Sequence, residues 1–199
     1  MAQQSVEGGE WDDDDKNYKP PEKRTLEEIR SLDKEDESLQ RYKASLLGPA
    51  LGTFNIPFPD NPLNVVFEKF CILVEGQPDI EFNLLGDLST LKSKPVQIVE
   101  DSRYQIQVVY YVQRDIVCGL RFIQSTHKGF NRVDKVSVMI GSYGPQPKPY
   151  IWKSEPDTAP KGALSRGIYN IKSQFTDDDK KDYVTWEWRI NVVKKPSDP

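Results

Sequence analysis

Few residues of this chain have the type and spacing that catalysis or metal binding requires. The single histidine, His127, stands in a polar Ser-Thr-His-Lys-Gly segment, and no cysteine lies at a ligand-like spacing from it. The run Asp177 to Asp179 lacks the glycine and the distal glutamate of a calcium loop. Phosphate-binding loops, dinucleotide fingerprints and Gly-x-Ser-x-Gly elbows are also absent. We therefore predict that the protein is not an enzyme and has no metal or cofactor.

Two tryptophans point to an apolar core or binding site rather than to catalysis. Trp186 and Trp188 fall in an alternating stretch, Val-Thr-Trp-Glu-Trp-Arg-Ile, which predicts a strand. Residues two apart on a strand point to the same face, so the two indoles lie side by side. Such a pair either fills a packed core or lines a slot for an elongated apolar ligand.

The elements that would position these indoles are strands, and no helical periodicity follows residue 62. Turn signals rich in Gly and Pro separate the apolar segments. This pattern predicts an all-β fold, an immunoglobulin-like antiparallel β-sandwich. The eight predicted strands are 65–74, 80–85, 96–99, 104–113, 116–124, 133–140, 169–175 and 183–193.

The first third of the chain has a different composition. Residues 1–60 carry 14 acidic and 8 basic side chains, whereas residues 61–199 carry 17 and 19. We predict two regions: an acidic, largely disordered regulatory arm, 1–60, and a sandwich, 61–199. Two short helices are expected in the arm when it binds a partner, one starting at Thr25 and one over 36–47. The second has an apolar stripe that would contact a partner, or would pack on the protein's own body.

Composition excludes several classes of function. The net charge of −4 argues against nucleic-acid binding, which requires clustered Lys and Arg. No apolar run is long enough to cross a membrane, so no stable membrane insertion is expected. Without a secretory signal the protein is expected in the cytoplasm, where Cys71 and Cys118 would be buried free thiols.

Several segments of the chain, in order, match one family. The sequence resembles the Rho GDP-dissociation inhibitors from about residue 17 onwards. The matching segments are 17–21 (NYKPP), 32–42 (LDKEDESLQRY), 46–48, 86–88, 116–117, 133–135, 141–145 (GSYGP), 159–162 (APKG), 171–173 and 175–188.

The resemblance implies a function and a set of site residues. The expected function is to bind prenylated Rho-family GTPases, inhibit GDP release and extract the GTPase from membranes by burying its geranylgeranyl group between the sheets. A monomer forming a 1:1 complex is expected. The resemblance assigns the isoprenoid slot to Phe70, Ile72, Val96, Tyr104, Ile116, Ile171, Trp186 and Trp188; GTPase contacts to Asp36, Ser38, Leu39, Tyr42, Leu46 and Asp179; and contacts with the client's basic tail to Glu155 and Asp157.

Two alternatives remain open on the residues alone. One is a general carrier of prenylated proteins that ignores the identity of the GTPase. The other is an adaptor whose sandwich is filled and binds no lipid.

Overall fold

Alternating burial along the strands produces a two-layer sandwich in this computed structural model, which describes residues 37, 38, 41 and 55–194. Strand β4 (Arg103–Val112) is typical: Ile106, Val108, Tyr110 and Val112 are buried, and the residues between them are only half-buried. One face of such a strand must be covered by a second layer.

The first sheet has the order β2-β1-β4-β7, with β8 also paired to β4, and all its pairs are antiparallel. A β-bulge interrupts the β1–β4 register between Phe67 and Lys69. Its strands are β1 (Val65–Val74), β2 (Ile80–Asn83), β4 (Arg103–Val112), β7 (Tyr150–Lys153) and β8 (Asp157–Thr158).

The second sheet has the order β3-β10-β9-β5-β6. Its pairs are antiparallel except for β3 and β10, which run parallel with Ile190 beside Val96. The strands are β3 (Val96–Val99), β5 (Val117–Lys128), β6 (Asn131–Tyr143), β9 (Gly167–Thr176) and β10 (Val184–Val193), and two short 3-10 helices cover Leu88–Lys92 and Ala163–Ser165.

The prediction of an all-β sandwich is confirmed, with differences in detail. The sandwich is not wholly antiparallel, because β3 joins the second sheet parallel to the last strand. Strand β5 continues to Lys128, so His127 lies in a strand rather than in a loop. The short strands β7 and β8 were not predicted. Cys71 is buried as expected, but Cys118 is exposed, and both thiols are free.

Aromatic rings fill one half of the space between the sheets. Phe67 of β1 stacks on Phe175 of β9 with ring centroids 4.0 Å apart, and Trp186 of β10 lies 5.7 Å from Phe175. Phe70 packs edge-on against Trp186 at 5.0 Å. Fully burying one such ring contributes roughly 1.5–3 kcal/mol, so this cluster holds the two sheets together.

A buried glutamine fixes the segment that leads into β1. The Gln113 side chain, 1% exposed, accepts a hydrogen bond from the backbone N–H of Phe58. Its amide donates to the carbonyl oxygens of Asn61 and Leu63 at 3.1 and 2.6 Å. Residues 58–63 are thereby attached to the sandwich.

Candidate functional site: a cavity between the sheets

The other half of the inter-sheet space holds a cavity of about 750 Å³. This volume lies in the usual range for sites that enclose a small organic ligand. Both sheets contribute apolar walls. The main apolar lining residues are Ile72, Tyr104, Ile106 and Trp152 from the first sheet, and Ile98, Phe122, Val133, Val136, Val138, Tyr169, Ile171, Trp188 and Ile190 from the second.

The two tryptophans of β10 have different environments although they share a face. Both are 3% exposed. Trp186 is enclosed by Phe70 and Phe175 in the filled half of the core, and its indole N–H has no hydrogen-bond partner. Trp188 lines the cavity, and its N–H donates to Ser173 Oγ at 3.0 Å. One indole is therefore core and the other is a wall of the cavity.

Acidic and phenolic groups lie where β4 and β8 meet the cavity. The Tyr104 hydroxyl donates to Asp157 Oδ2 at 2.9 Å. Burial, and next the neighbouring Asp157 carboxylate, raise the pKa of Tyr104 above its usual value, so the phenol stays protonated. Glu155 and Asp134 also line this part of the cavity. We call this opening of the cavity the mouth; it places carboxylates next to the apolar interior.

A short segment, 160–166, forms one side of the mouth, and we call it the rim segment. Pro160, Leu164 and Ser165 line the cavity. The segment is held by Glu100, whose side chain is 8% exposed and accepts two hydrogen bonds from the Arg166 guanidinium, at 2.8 and 3.1 Å.

Three further hydrogen bonds attach the rim segment to its neighbours. The backbone N–H of Gly162 donates to Glu100 Oε2 at 2.9 Å. The Lys128 ammonium, at the end of β5, donates to the carbonyl oxygens of Leu164 and Arg166. The rim segment is therefore fixed to both of its neighbours, the β3–β4 turn and the β5–β6 hairpin.

An acidic turn lies at the opposite end of the sandwich. It connects β9 to β10 and contains Asp177 to Asp179. Buried Asp177 accepts a hydrogen bond from the Tyr183 hydroxyl at 2.6 Å and another from the Lys181 N–H. Burial, followed by the hydrogen bond to Asp177, raises the pKa of Tyr183.

Close packing beneath this turn explains why residue 119 is a glycine. At Gly119, which has φ +61°, a Cβ atom would lie 2.0 Å from the Asp178 carboxylate. A side chain there would push the turn away from β5. The position of Asp179 is therefore set by the turn's own packing and hydrogen bonds.

The structure brings four of the eight residues assigned to the isoprenoid slot to the cavity: Ile72, Tyr104, Ile171 and Trp188. Phe70 and Trp186 lie in the aromatic half of the core, and Val96 packs against the core from β3. Ile116 precedes β5, whereas Lys128 at the other end of that strand lies at the mouth.

Both residues assigned to the client's basic tail, Glu155 and Asp157, line the cavity. Asp179 lies at the far end, on the acidic turn. Ser38 is exposed and helical. Asp36, Leu39, Tyr42 and Leu46 lie outside the described residues.

Sequence reasoning missed much of the lining. Ile98, Ile106 and Phe122 point inward on their strands, as do the residues assigned to the isoprenoid slot, so strand periodicity could have predicted them. Trp152 stands on the unpredicted four-residue strand β7, which follows Lys148-Pro149. No sequence pattern pointed to Leu164, which lines the cavity from a 3-10 turn.

Metal chemistry receives no support from the arrangement of side chains. Within residues 37, 38, 41 and 55–194, no group of three or more His, Cys, Asp and Glu side chains could hold a metal ion. In the same part of the chain, no helix has the length and apolarity needed to cross a bilayer.

Comparison with known proteins gives a consistent result. The family model described as RHO protein GDP dissociation inhibitor matches residues 3–195. The chain is 39% identical to Rho GDP-dissociation inhibitor 1 of Rattus norvegicus, over 100% of this chain and 95% of the relative. It is 40% identical to the Homo sapiens protein of the same name, over 98% and 93%.

A fungal relative is similarly close. The chain is 37% identical to the Rho GDP-dissociation inhibitor of Saccharomyces cerevisiae, over 98% of this chain and 100% of the relative. The chain therefore belongs to the Rho GDP-dissociation inhibitor family, whose members are regulatory inhibitors and not enzymes.

Proposed function

We propose that this protein inhibits GDP dissociation from prenylated Rho-family GTPases and extracts them from membranes by enclosing the geranylgeranyl group between its sheets. The observation that carries the proposal is the cavity of about 750 Å³ with apolar walls from both sheets. Burying twenty carbons at roughly 0.8 kcal/mol per CH₂ yields on the order of 10 kcal/mol before ordering costs. That is enough to compete with a bilayer for the same geranylgeranyl group.

The carboxylates at the mouth complement the rest of the ligand. A Rho-type client is expected to carry a basic tail next to its lipid. Glu155 and Asp157 would face that tail, which would add salt-sensitive affinity and speed the encounter. Asp157 is also bonded to Tyr104, so it is held in place before the ligand arrives.

The arm, residues 1–60, would supply the contacts that act on the nucleotide. Asp36, Ser38, Leu39, Tyr42 and Leu46 would dock on the switch regions of the GTPase, and Asp179 would meet it from the sandwich, 61–199. Holding the switches rigid slows GDP release. The protein would act in the cytoplasm as a monomer that forms a 1:1 complex.

Lipid enclosure is tested with a variant whose larger side chain fills the cavity. Ile171 points into the cavity from β9, whereas Ile168, on the same strand, is 41% exposed and does not line it. Ile171→Trp should abolish extraction of a geranylgeranylated Rho-family GTPase from liposomes, and Ile168→Trp should leave extraction unchanged. A urea titration checks that both variants remain folded, since the cavity has room for the larger ring.

An unprenylated GTPase serves as the second control. Both variants should bind it as the unsubstituted protein does. If Ile171→Trp extracts normally, lipid enclosure in this cavity is wrong and the chain acts as an adaptor. If Asp36→Ala has no effect on GDP release while extraction persists, the protein is a general carrier of prenylated cargo.

A further inference from the structure

The β5–β6 hairpin carries a fully exposed phenylalanine that the proposed function does not use. Phe130 is 106% exposed and lies in the turn between Lys128 and Asn131, whose backbones pair to close the hairpin. It does not line the cavity. A fully exposed aromatic ring buries no apolar area in the folded protein, and such a ring is informative where a second exposed apolar side chain lies near it.

A second exposed apolar side chain lies beside this turn. Leu164, on the rim segment, is 94% exposed although it also lines the mouth. The Lys128 ammonium reaches the Leu164 carbonyl oxygen at 2.5 Å, so the hairpin and the rim segment are adjacent. Leu164 therefore lies at the opening, and Phe130 lies in the turn two residues beyond Lys128, which is bonded to the rim segment.

Rigid support distinguishes these two side chains from loose loop residues. Lys128 lies over the Tyr169 ring at 4.8 Å while it bonds to the rim segment. Glu100 holds the same segment through Arg166. The two apolar side chains are therefore presented by elements fixed to the sandwich.

We infer that Phe130 and Leu164 insert into the interfacial layer of a lipid bilayer and place the mouth of the cavity against the membrane. The inference rests on the proposed function, because it concerns the route by which lipid reaches the cavity. Leu164 lines the mouth, Phe130 lies in the hairpin turn that follows Lys128, and the proposed ligand of the cavity comes from a membrane. An aromatic ring suits the boundary between headgroups and acyl chains.

Charges around the hairpin fit a membrane surface. The turn sequence Lys128-Gly-Phe-Asn-Arg132 has no acidic residue; the Lys128 ammonium is bonded to the rim segment, and Arg132 is the exposed basic side chain. Basic side chains next to an apolar anchor bind the phosphates of lipid headgroups. The nearby carboxylates Asp134 and Asp157 would be repelled by anionic lipid, so the apolar anchors should provide most of the contact.

The experiment replaces the anchor that lies outside the cavity. Flotation of the full-length protein with vesicles of phosphatidylcholine and phosphatidylserine, without any GTPase, should fall for Phe130→Ser and be restored by Phe130→Trp. Extraction of a geranylgeranylated GTPase from the same vesicles should be roughly tenfold slower for Phe130→Ser. Tenfold corresponds to about 1.4 kcal/mol, which lies within what partial burial of a phenylalanine ring provides.

Two controls separate the membrane contact from other effects. Met139→Ser removes a 57% exposed side chain from β6, eight residues beyond the first residue of that strand, and should change neither measurement. Affinity for a geranylgeranylated peptide in solution should be the same for Phe130→Ser and the unsubstituted protein.

Two outcomes would contradict the inference, and a third would separate it from the proposed function. If Phe130→Ser floats and extracts like the unsubstituted protein, Phe130 makes no membrane contact. If it weakens binding of an unprenylated GTPase in solution, Phe130 contacts the client instead. Failure of extraction by the unsubstituted protein would contradict the proposed function, but Phe130-dependent flotation would still establish the membrane surface.

Discussion

The ion pair between Glu100 and Arg166 should determine the stability of the mouth. The perturbation is Arg166→Met, which keeps an apolar stem and removes the guanidinium. Glu100 is 8% exposed and receives two hydrogen bonds from Arg166, whose side chain is 34% exposed. Breaking a buried pair by removing one partner costs about 3–5 kcal/mol.

The expected magnitude is smaller than that range because Arg166 is one third exposed. Water can reach the Glu100 carboxylate once the guanidinium is gone, and the Gly162 N–H still donates to it. We expect the free energy of unfolding to fall by about 2–3 kcal/mol, a large share of the 5–15 kcal/mol typical of a domain. Affinity for a geranylgeranylated peptide should also fall, because the rim segment lines the cavity.

Urea denaturation followed by tryptophan fluorescence measures the first quantity, and peptide titration measures the second. Lys161→Met is the matched control: Lys161 lies in the same rim segment, but its pair with Asp101 is on the surface. This control should shift the urea midpoint little. If Arg166→Met costs less than about 1 kcal/mol and leaves peptide affinity unchanged, the pair is screened by solvent and does not fix the mouth.

Three other predictions concern residues away from the mouth. Tyr183→Phe should cost about 1.5–3 kcal/mol near pH 7 by removing a hydrogen bond to buried Asp177. Because the pKa of Tyr183 is raised in the folded state, its contribution to stability is complete below about pH 10 and is lost at higher pH. As the pH rises above that value, the free energy of unfolding should therefore fall less for Tyr183→Phe than for the unsubstituted protein in urea titrations. An equal fall in both proteins would contradict this. Iodoacetamide should modify exposed Cys118 much faster than buried Cys71 in the native protein, as mass spectrometry would show, whereas equal rates would mean that β1 opens readily. Gln113→Met should lower the free energy of unfolding by about 2–3 kcal/mol by leaving buried backbone groups unpaired, and an unchanged urea midpoint would mean that residues 58–63 are not attached through it.

Strand periodicity predicted most of the fold because both sheets bury one face against the other. The bounds of β1 and β3 agree with the prediction. Strand β8 has two residues, too few for alternation to be read, and the four-residue strand β7 has no fully buried residue. The parallel pairing of β3 with β10 could not be predicted, since it depends on how the chain crosses between layers rather than on any local pattern.

The candidate site was harder to predict, and the two tryptophans show why. Trp186 and Trp188 share a face, and sequence reasoning therefore gave them one role. The structure separates them, because Phe70 and Phe175 fill the space around Trp186, while Trp188 borders the cavity. Where a cavity remains between two sheets depends on the packing of residues far apart in sequence, which periodicity does not record.

The positions of the acidic turn and the mouth at opposite ends of the sandwich set a minimum length on any client that contacts both. Strand β9 connects the two ends: Tyr169 lines the mouth and Thr176 leads into the turn of Asp179. Seven residues of strand cover roughly 25 Å. An extended peptide reaches at most about 3.3–3.6 Å per residue, so a tail that ran the whole way from the turn to the mouth would need at least seven or so residues. Under the proposed function, the sandwich would therefore discriminate among clients by the length of the tail.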